Sequence, residues 1–316
     1  MTDTQRAPIV AYGPLYPYLT QGLQSRFTVH AVPVDADIAT LPPPVLESRA
    51  LVSFGSVGAS AAIMDALPRL EMIGLFSVGY DKVDVNHARA RGIRVSNTPD
   101  VLTDDVADLA VGLLYATVRN IAANDRMVRS GAWAIGQKPA LCGRVTGSRI
   151  GILGLGRIGR AIARRLEPVA GEIIYHNRRE ASDKPYRYVA DPLDFARQSD
   201  ALIVATSGGP EAAKLVDAAM LEALGPDGVI VNISRGGVID EEAMVAALAD
   251  RRIAGAGLDV FAHEPLVPQA LFAMDHVVLQ PHQGSATIHT RKAMADLVLA
   301  NLDAHFAGQP LPTPVV

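Results

Sequence analysis

The feature that most constrains this chain is a regular alternation of short apolar runs with helix-like segments. Residues 8–12, 28–32, 50–54, 70–76 and 93–96 read as strands. Residues 15–26, 60–67 and 83–91 read as helices between them. From residue 149 the alternation restarts, with short apolar strands at 150–153, 173–175, 201–205, 229–233, 255–258 and 277–279. Strands that are apolar throughout are buried on both faces, and parallel neighbours need a crossover, usually helical. The pattern therefore predicts the α/β class, with parallel sheets covered by helices. A long helix is expected at 103–120. Thr103 is read as its N-cap, Asp104 and Asp105 lie in the first turn, and Val106, Leu109, Ala110, Leu113, Leu114 and Thr117 form one stripe. That stripe is read as ordinary core, with a subunit interface as the alternative. Asp240 caps a further helix, followed by Glu241 and Glu242, and the last helix is expected at 291–306.

The chain has 316 residues, enough for two domains, and its 49% hydrophobic and 20% charged residues suit a large buried core. A net charge of -4 gives no general attraction to nucleic acid or to an anionic membrane, and neither is expected as a partner. Cys142 is the single cysteine, which excludes an intramolecular disulfide and cysteine-rich metal sites. It is read as a small apolar filler, and no metal is expected. Residues 1–14 carry no basic segment leading into an apolar core, so no secretory leader is expected. No run approaches the roughly 18 apolar residues of a membrane span. The longest candidate, 106–118, contains Asp108. A cytoplasmic setting is the expectation.

Gly154-Leu155-Gly156-Arg157-Ile158-Gly159 fits G-x-G-x-x-G directly after an apolar strand and at the start of a helix expected to reach about Leu166. The pattern alone is weak, and the strand–turn–helix context is what points to a dinucleotide. Gly154 permits the tight turn, Gly156 lets the backbone approach a pyrophosphate, and Gly159 lets helix and strand pack closely. The helix N-terminus then offers amides to phosphate. A glycine turn without a ligand is the bland alternative. An NAD-selective site places an acid about 20 residues further on, to hold the ribose 2′-hydroxyl. Here the segment is Tyr175-His176-Asn177-Arg178-Arg179, with no acid until Glu180. Arg178 and Arg179 suit a 2′-phosphate, so NADP (NADPH) is the preferred cofactor and NAD a possible one. The alternative is a solvated basic turn.

Three further segments each follow a predicted strand: Ser234-Arg235-Gly236-Gly237, Val260 to Pro265 with Glu264, and Pro281-His282-Gln283-Gly284-Ser285. Loops at the C-terminal ends of parallel strands are where open α/β sheets bind ligands. Reducing a 2-keto acid needs a cation for the carboxylate, a proton donor for the carbonyl oxygen, and a hydride. Arg235 can grip the carboxylate and polarise the carbonyl. His282 can donate the proton in reduction and take it back in oxidation. Glu264 can favour the imidazolium and orient the ring. Singly, these residues read as a phosphate contact, a helix-start acid and a core histidine. His263, beside Glu264, is read as an exposed decoy.

With these segments together the chain resembles the D-isomer-specific 2-hydroxyacid dehydrogenases, and within them the glyoxylate/hydroxypyruvate reductases. The resemblance runs from about Gly74 to the end. It is carried by SVGYDKVD (77–84), TPDVLTDDVADLAVGLL (98–114), GILGLGRIGRAIARRL (151–166), NISRGGVID (232–240), GLDVFAHEP (257–265) and VVLQPHQGSAT (277–287). The narrower likeness rests on HNRR, on SGAWAIGQ (130–137) and on the TPVV terminus. The resemblance implies two doubly wound parallel-sheet domains with a cleft between them. A flavodoxin-like substrate domain would comprise 1–98 and 287–316, and a Rossmann cofactor domain 99–286. It implies a homodimer, a small 2-keto acid as substrate, and the roles given above for Arg235, Glu264 and His282. It places substrate carboxylate contacts at the amides of Val78 and Gly79, with Arg235 and His282. Cofactor contacts fall at Thr103, Gly154, Leu155, Gly156, Arg157, Ile158, Gly159, Asn177, Arg178, Arg179, Ile233, Asp259, Gly284 and Ser285. Trp133 has two readings, approach to the substrate pocket or packing. Ser77 stands where the family often has glycine or alanine, and 206–210 departs from the family's usual Pro-x-Thr. Two alternatives share the fold: a nucleotide-sensing corepressor and a dehydrogenase of another small substrate such as phosphite. The absence of a long tail argues against the first. Glu264, where a formate enzyme of the family has glutamine, argues against formate.

Overall fold

The computed structural model describes residues 6–181 and 185–316; residues 1–5, part of the stretch read for a leader, lie outside it. In chain order the first elements are β1 (Pro8–Tyr12), α1 (Pro17–Arg26), β2 (Thr28–Val32), α2 (Pro43–Leu46), β3 (Ala50–Phe54), α3 (Ala61–Ala66), β4 (Met72–Phe76), α4 (Val85–Ala90) and β5 (Arg94–Ser96). Next come α5 (Thr103–Val118), α6 (Ile121–Arg129), β6 (Arg149–Leu153), α7 (Arg157–Leu166), β7 (Glu172–His176), β8 (Arg187–Tyr188), α8 (Pro192–Arg197) and β9 (Ala201–Val204). The chain continues with α9 (Ala218–Leu224), β10 (Val229–Asn232), α10 (Glu241–Ala249), β11 (Gly255–Leu258), β12 (Val277–Leu279) and α11 (Ile288–Phe306). It divides into two compact units, Met1–Leu102 with Thr287–Val316, and Thr103–Ala286.

In the first unit five parallel strands run in the order β2-β1-β3-β4-β5. Strand order reverses between β1 and β3, so the loops leaving those two strands diverge and open a crevice at their C-terminal ends. The helix α11 packs against β4 and α1, burying Met294, Val298 and Leu302. Thr287 caps it by accepting the Thr290 amide at 3.1 Å. The last two residues join the sheet edge: Val315 N–H donates to Val95 O at 2.7 Å, and Val95 N–H to Val316 O at 2.9 Å.

The second unit has seven strands in the order β12-β11-β10-β9-β6-β7-β8, all parallel, with the reversal between β6 and β9. Phe195 is fully buried in a largely aliphatic cluster, and Tyr175 is almost fully buried with its ring against Tyr188. Burying one such side chain contributes roughly 1.5–3 kcal/mol. The helix α5 lies against α7, β10 and β11. Its buried face is Val106, Ala107, Ala110, Leu113, Leu114 and Thr117, so the stripe read as core is largely core. Arg165 of α7 ties the two helices by donating to Asp104 at 2.9 Å and Asp108 at 2.6 Å.

Several local readings need correction. Thr103, read as an N-cap, is already the first helical residue of α5. The first helix begins at Pro17, not residue 15, because proline suits a first turn whose amide is unpaired anyway. The last helix begins three residues before 291, where Thr287 supplies the cap. α6, which buries no side chain, and the two-residue β8 are elements beyond those expected from the sequence. Cys142 is exposed rather than a core filler, because it sits in an irregular stretch after α6 that packs little. Among the described residues no single helix is long and apolar enough to cross a membrane.

Candidate active site

The glycine loop leaves β6 at the reversal of strand order. Gly154 has φ +100°, and a β-carbon there would lie 2.6 Å from the Thr206 backbone, in the loop after β9. Only glycine satisfies both conditions. A β-carbon on Gly159 would lie 2.2 Å from the Gly154 carbonyl oxygen, so this glycine serves packing. Gly156 differs: a β-carbon there would meet nothing within 4 Å. Protein packing does not demand that glycine, whereas a ligand approaching the backbone would. The first amides of α7 follow, beyond the reach of any intrahelical carbonyl. The loop is held from the next strand, as Leu155 N–H donates to Asn177 Oδ1 at 2.8 Å. This geometry fits a dinucleotide pyrophosphate.

Asn177 thus braces the glycine loop, and the basic turn beyond it is open. Arg178 is exposed and donates to Glu211, 33 residues on, in the loop after β9. Arg179 is exposed and has no partner among the described residues. No local sequence signal pairs Glu211 with Arg178, since the contact depends on the β6–β9 reversal bringing two loops together.

The Arg235, Glu264 and His282 loops leave β10, β11 and β12, which are neighbours in register. Gly236 lets the first two approach, because a β-carbon there would lie 1.8 Å from the Phe261 carbonyl carbon. Asn232 shapes the Arg235 turn: its Oδ1 accepts the Ser234 amide at 3.0 Å, and its Nδ2 donates to Arg235 O at 3.1 Å. Glu241 Oε2 accepts the Ala262 amide at 3.0 Å, which holds the Glu264 loop. Glu264 Oε1 accepts the Phe261 amide at 3.1 Å, and Oε2 lies 2.8 Å from His282 Nδ1. The carboxylate can only accept, so Nδ1 carries the proton and Nε2 is the nitrogen free to exchange one. Nε2 has no partner among the described residues. Burial pushes the Glu264 carboxyl up, but the His282 hydrogen bond and charge, the Phe261 amide and Arg235 outweigh it and hold it below the ordinary range.

His282 adopts the left-handed region at φ +55°, which costs a non-glycine residue roughly 1–2 kcal/mol. Asp259, 1% exposed, holds it there. Its carbonyl accepts the His282 amide at 2.9 Å, and its carboxylate accepts the amides of Gln283 at 2.6 Å and Gly284 at 2.9 Å. Burial raises the Asp259 carboxyl, the two amides and His282 pull it back, and Glu264 adds to the rise. Of the other expected contacts, Ile233 is buried just after β10, Ser285 is half-buried after Gly284, and Thr103 opens α5. His263 is exposed, and so is Trp133, at 61%.

In the first unit, Val78 and Gly79 follow β4. Their carbonyls are taken, Val78 O by Asn97 Nδ2 at 2.8 Å and Gly79 O by Ser77 Oγ at 2.5 Å. Their amides have no partner among the described residues. Ser77 also fills the space a β-carbon on Gly55 would need, 2.3 Å from such an atom, so it is accommodated by that glycine.

Residues 111–284 match the family model described as D-isomer specific 2-hydroxyacid dehydrogenase, NAD binding domain. The chain belongs to that family. This dehydrogenase is 47% identical over 306 residues to a hydroxyphenylpyruvate reductase of Plectranthus scutellarioides, covering 96% of this chain and 97% of that one. It is 45% identical over 304 residues to a glyoxylate/hydroxypyruvate reductase of Arabidopsis thaliana, covering 96% and 97%. The solved NADPH-dependent glyoxylate/hydroxypyruvate reductase of Sinorhizobium meliloti, in complex with NADP and malonate, superposes with a TM-score of 0.93 at 41% identity, covering 98% and 97%. The chain is therefore an NAD(P)-binding oxidoreductase with two parallel-sheet α/β domains, as its motifs led one to expect.

Proposed function

We propose that this dehydrogenase reduces small 2-keto acids, glyoxylate and hydroxypyruvate among them, to 2-hydroxy acids, and prefers NADPH to NADH. The observation that carries the reading is the His282–Glu264 contact at 2.8 Å, with Nε2 unengaged among the described residues. Nicotinamide, when bound, supplies the hydride. Arg235 holds the substrate carboxylate and polarises the carbonyl, His282 gives its Nε2 proton to the carbonyl oxygen, and Glu264 stabilises the imidazolium. Where the product is chiral it is the D-hydroxy acid.

The glycine loop, braced by Asn177, and the α7 amides support dinucleotide binding, with Thr103, Ile233, Asp259, Gly284 and Ser285 as further contacts. Arg178 and Arg179, with no acid before them, support the choice of NADP. The open amides of Val78 and Gly79 support a carboxylate contact from residues 1–98 and 287–316, read as the substrate domain, with 99–286 as the cofactor domain. Exposed Ile121, Val128, Trp133, Ile135 and Leu141 form an apolar stretch that supports a homodimer. The acidic net charge supports neither nucleic acid nor membrane as a partner, and a cytoplasmic setting goes with the single cysteine.

A panel of 2-keto acids assayed with NADPH and NADH tests the reading. The expected result is turnover of glyoxylate and hydroxypyruvate with a higher kcat/KM for NADPH. No turnover of any 2-keto acid with either cofactor would overturn the activity, and equal use of both would overturn the preference.

A further inference from the structure

Arg291, in the first turn of α11, is half-buried, and no carboxylate or hydrogen-bond acceptor among the described residues meets its guanidinium. It lies over the Phe76 ring, 5.6 Å from the centroid. Tyr16 stacks on the same ring at 6.2 Å, and Phe54 meets it edge-on at 5.1 Å. Arg291, Tyr16, Phe54, Pro14 and Leu15 line a cavity of about 380 Å³. The Tyr16 hydroxyl, which faces the guanidinium electrostatically, also has no hydrogen-bond partner among the described residues. Burial alone pulls the guanidinium below its ordinary value, with only Tyr16 opposing.

The position of the cavity points the same way. Pro14 to Tyr16 leave β1, and Phe54 ends β3, so the cavity sits at the reversal of strand order in the first unit. Open α/β sheets bind ligands at that point. Phe76 ends β4, and Val78 and Gly79 with their open amides lie two and three residues on. One ring thus connects a partly desolvated cation to the amides proposed for the substrate carboxylate. A guanidinium taken partly out of water without a counter-charge is costly, and a planar carboxylate is the group its fork of donors matches.

We propose that Arg291 and Tyr16 form a second anion subsite, which takes a carboxylate at the end of the 2-keto acid remote from its keto group. This rests on the 2-keto acid reading and extends its substrate class to 2-keto dicarboxylates. The test compares two substrates, 2-oxoglutarate and 2-oxopentanoate, the latter having the same length without the distal charge. Selectivity is the ratio of their kcat/KM values, the dicarboxylate over the monocarboxylate. Arg291→Gln should lower this ratio about tenfold or more, since hydrogen bonds to charged groups carry that much discrimination. Arg291→Lys should keep an intermediate ratio. Calorimetric titration of glutarate and pentanoate into the protein gives a readout without turnover, and the glutarate preference should fall in parallel. An unchanged ratio in Arg291→Gln, or wild-type protein that binds glutarate no better than pentanoate, would overturn the proposal. If no 2-keto acid is turned over, the catalytic reading fails while the titration still decides the subsite.

Discussion

Two regions of the second unit follow strands of the same sheet and are built in opposite ways. Around Arg235, Glu264 and His282 the backbone is fixed by side-chain and packing contacts: buried Asn232 under the arginine turn, half-buried Glu241 and buried Gly236 at the glutamate loop, and buried Asp259 under the histidine. The turn bearing Arg178 and Arg179 is exposed, and in its ion pair with Glu211 the two side chains are 82% and 77% exposed. The difference follows from what each must do. Proton transfer requires heavy atoms held at hydrogen-bond distance, and small misplacements are costly. Telling a phosphate from a hydroxyl requires only charge nearby, which exposed guanidinium groups provide.

The largest expected effect tests the rigid region. His282→Ala removes the one proton donor assigned to the carbonyl oxygen, and kcat for 2-keto acid reduction should fall by about 10²–10⁴-fold. A variant within a factor of a few of wild type would mean that the proton comes from elsewhere, and the contrast between the two regions would lose its chemical basis. Next in size is the exposed region. Arg178→Ala combined with Arg179→Ala should raise the NADPH KM by roughly ten- to hundredfold and leave the NADH KM far less affected. An equal rise for both cofactors would mean that the turn acts on the shared part of the dinucleotide.

A smaller effect sharpens the comparison through pH. The folded-state pKa of Glu264 is lowered, so its contribution to stability is present in full above the ordinary carboxylate value of about 4.3. That contribution is lost as pH falls through the lower folded value. Glu264→Gln has no such titration. The wild type should therefore melt above the variant at pH 6, and the gap should close as pH is lowered below about 4. A gap that stays constant in thermal melts across that range would show that the pair adds geometry without charge.

The same division explains what could be read from the residues alone. Strands Pro8–Tyr12 and Ala50–Phe54 match their expected bounds, because a strand buried on both faces is a continuous apolar run; the edge strand Thr28–Val32, which buries only Val32, matches as well. Asp240 caps α10 as expected, accepting the Ala243 amide at 3.3 Å, because capping is local. Arg235, Glu264 and His282 were legible as loop residues after successive strands. The braces beneath them were less so: Asn232 and Glu241 are ordinary residues whose value lies in contacts set by the fold. α6 was not expected as a separate helix, and it buries no side chain in its own chain. Arg291 reads as one more helix residue until the sheet order places it beside Tyr16 and Phe54.

Glu211 gives the smallest effect and the finest test. Its carboxylate occupies Arg178, the group proposed to receive the 2′-phosphate, so it competes with that phosphate and also repels it. Because the pair is exposed, the competition is weak. Exposed ion pairs contribute between nothing and about 1 kcal/mol, so Glu211→Gln should lower the NADPH KM by up to about fivefold. NADH lacks the phosphate and should respond little. Salt screens exposed charges over a Debye length of about 10 Å at 0.1 M, so the gain should shrink as ionic strength rises. Steady-state KM values for both cofactors at two salt concentrations decide it. A gain shared by NADH would place the effect on loop packing, and a higher NADPH KM would mean that Glu211 positions Arg178 for the phosphate instead of competing for it.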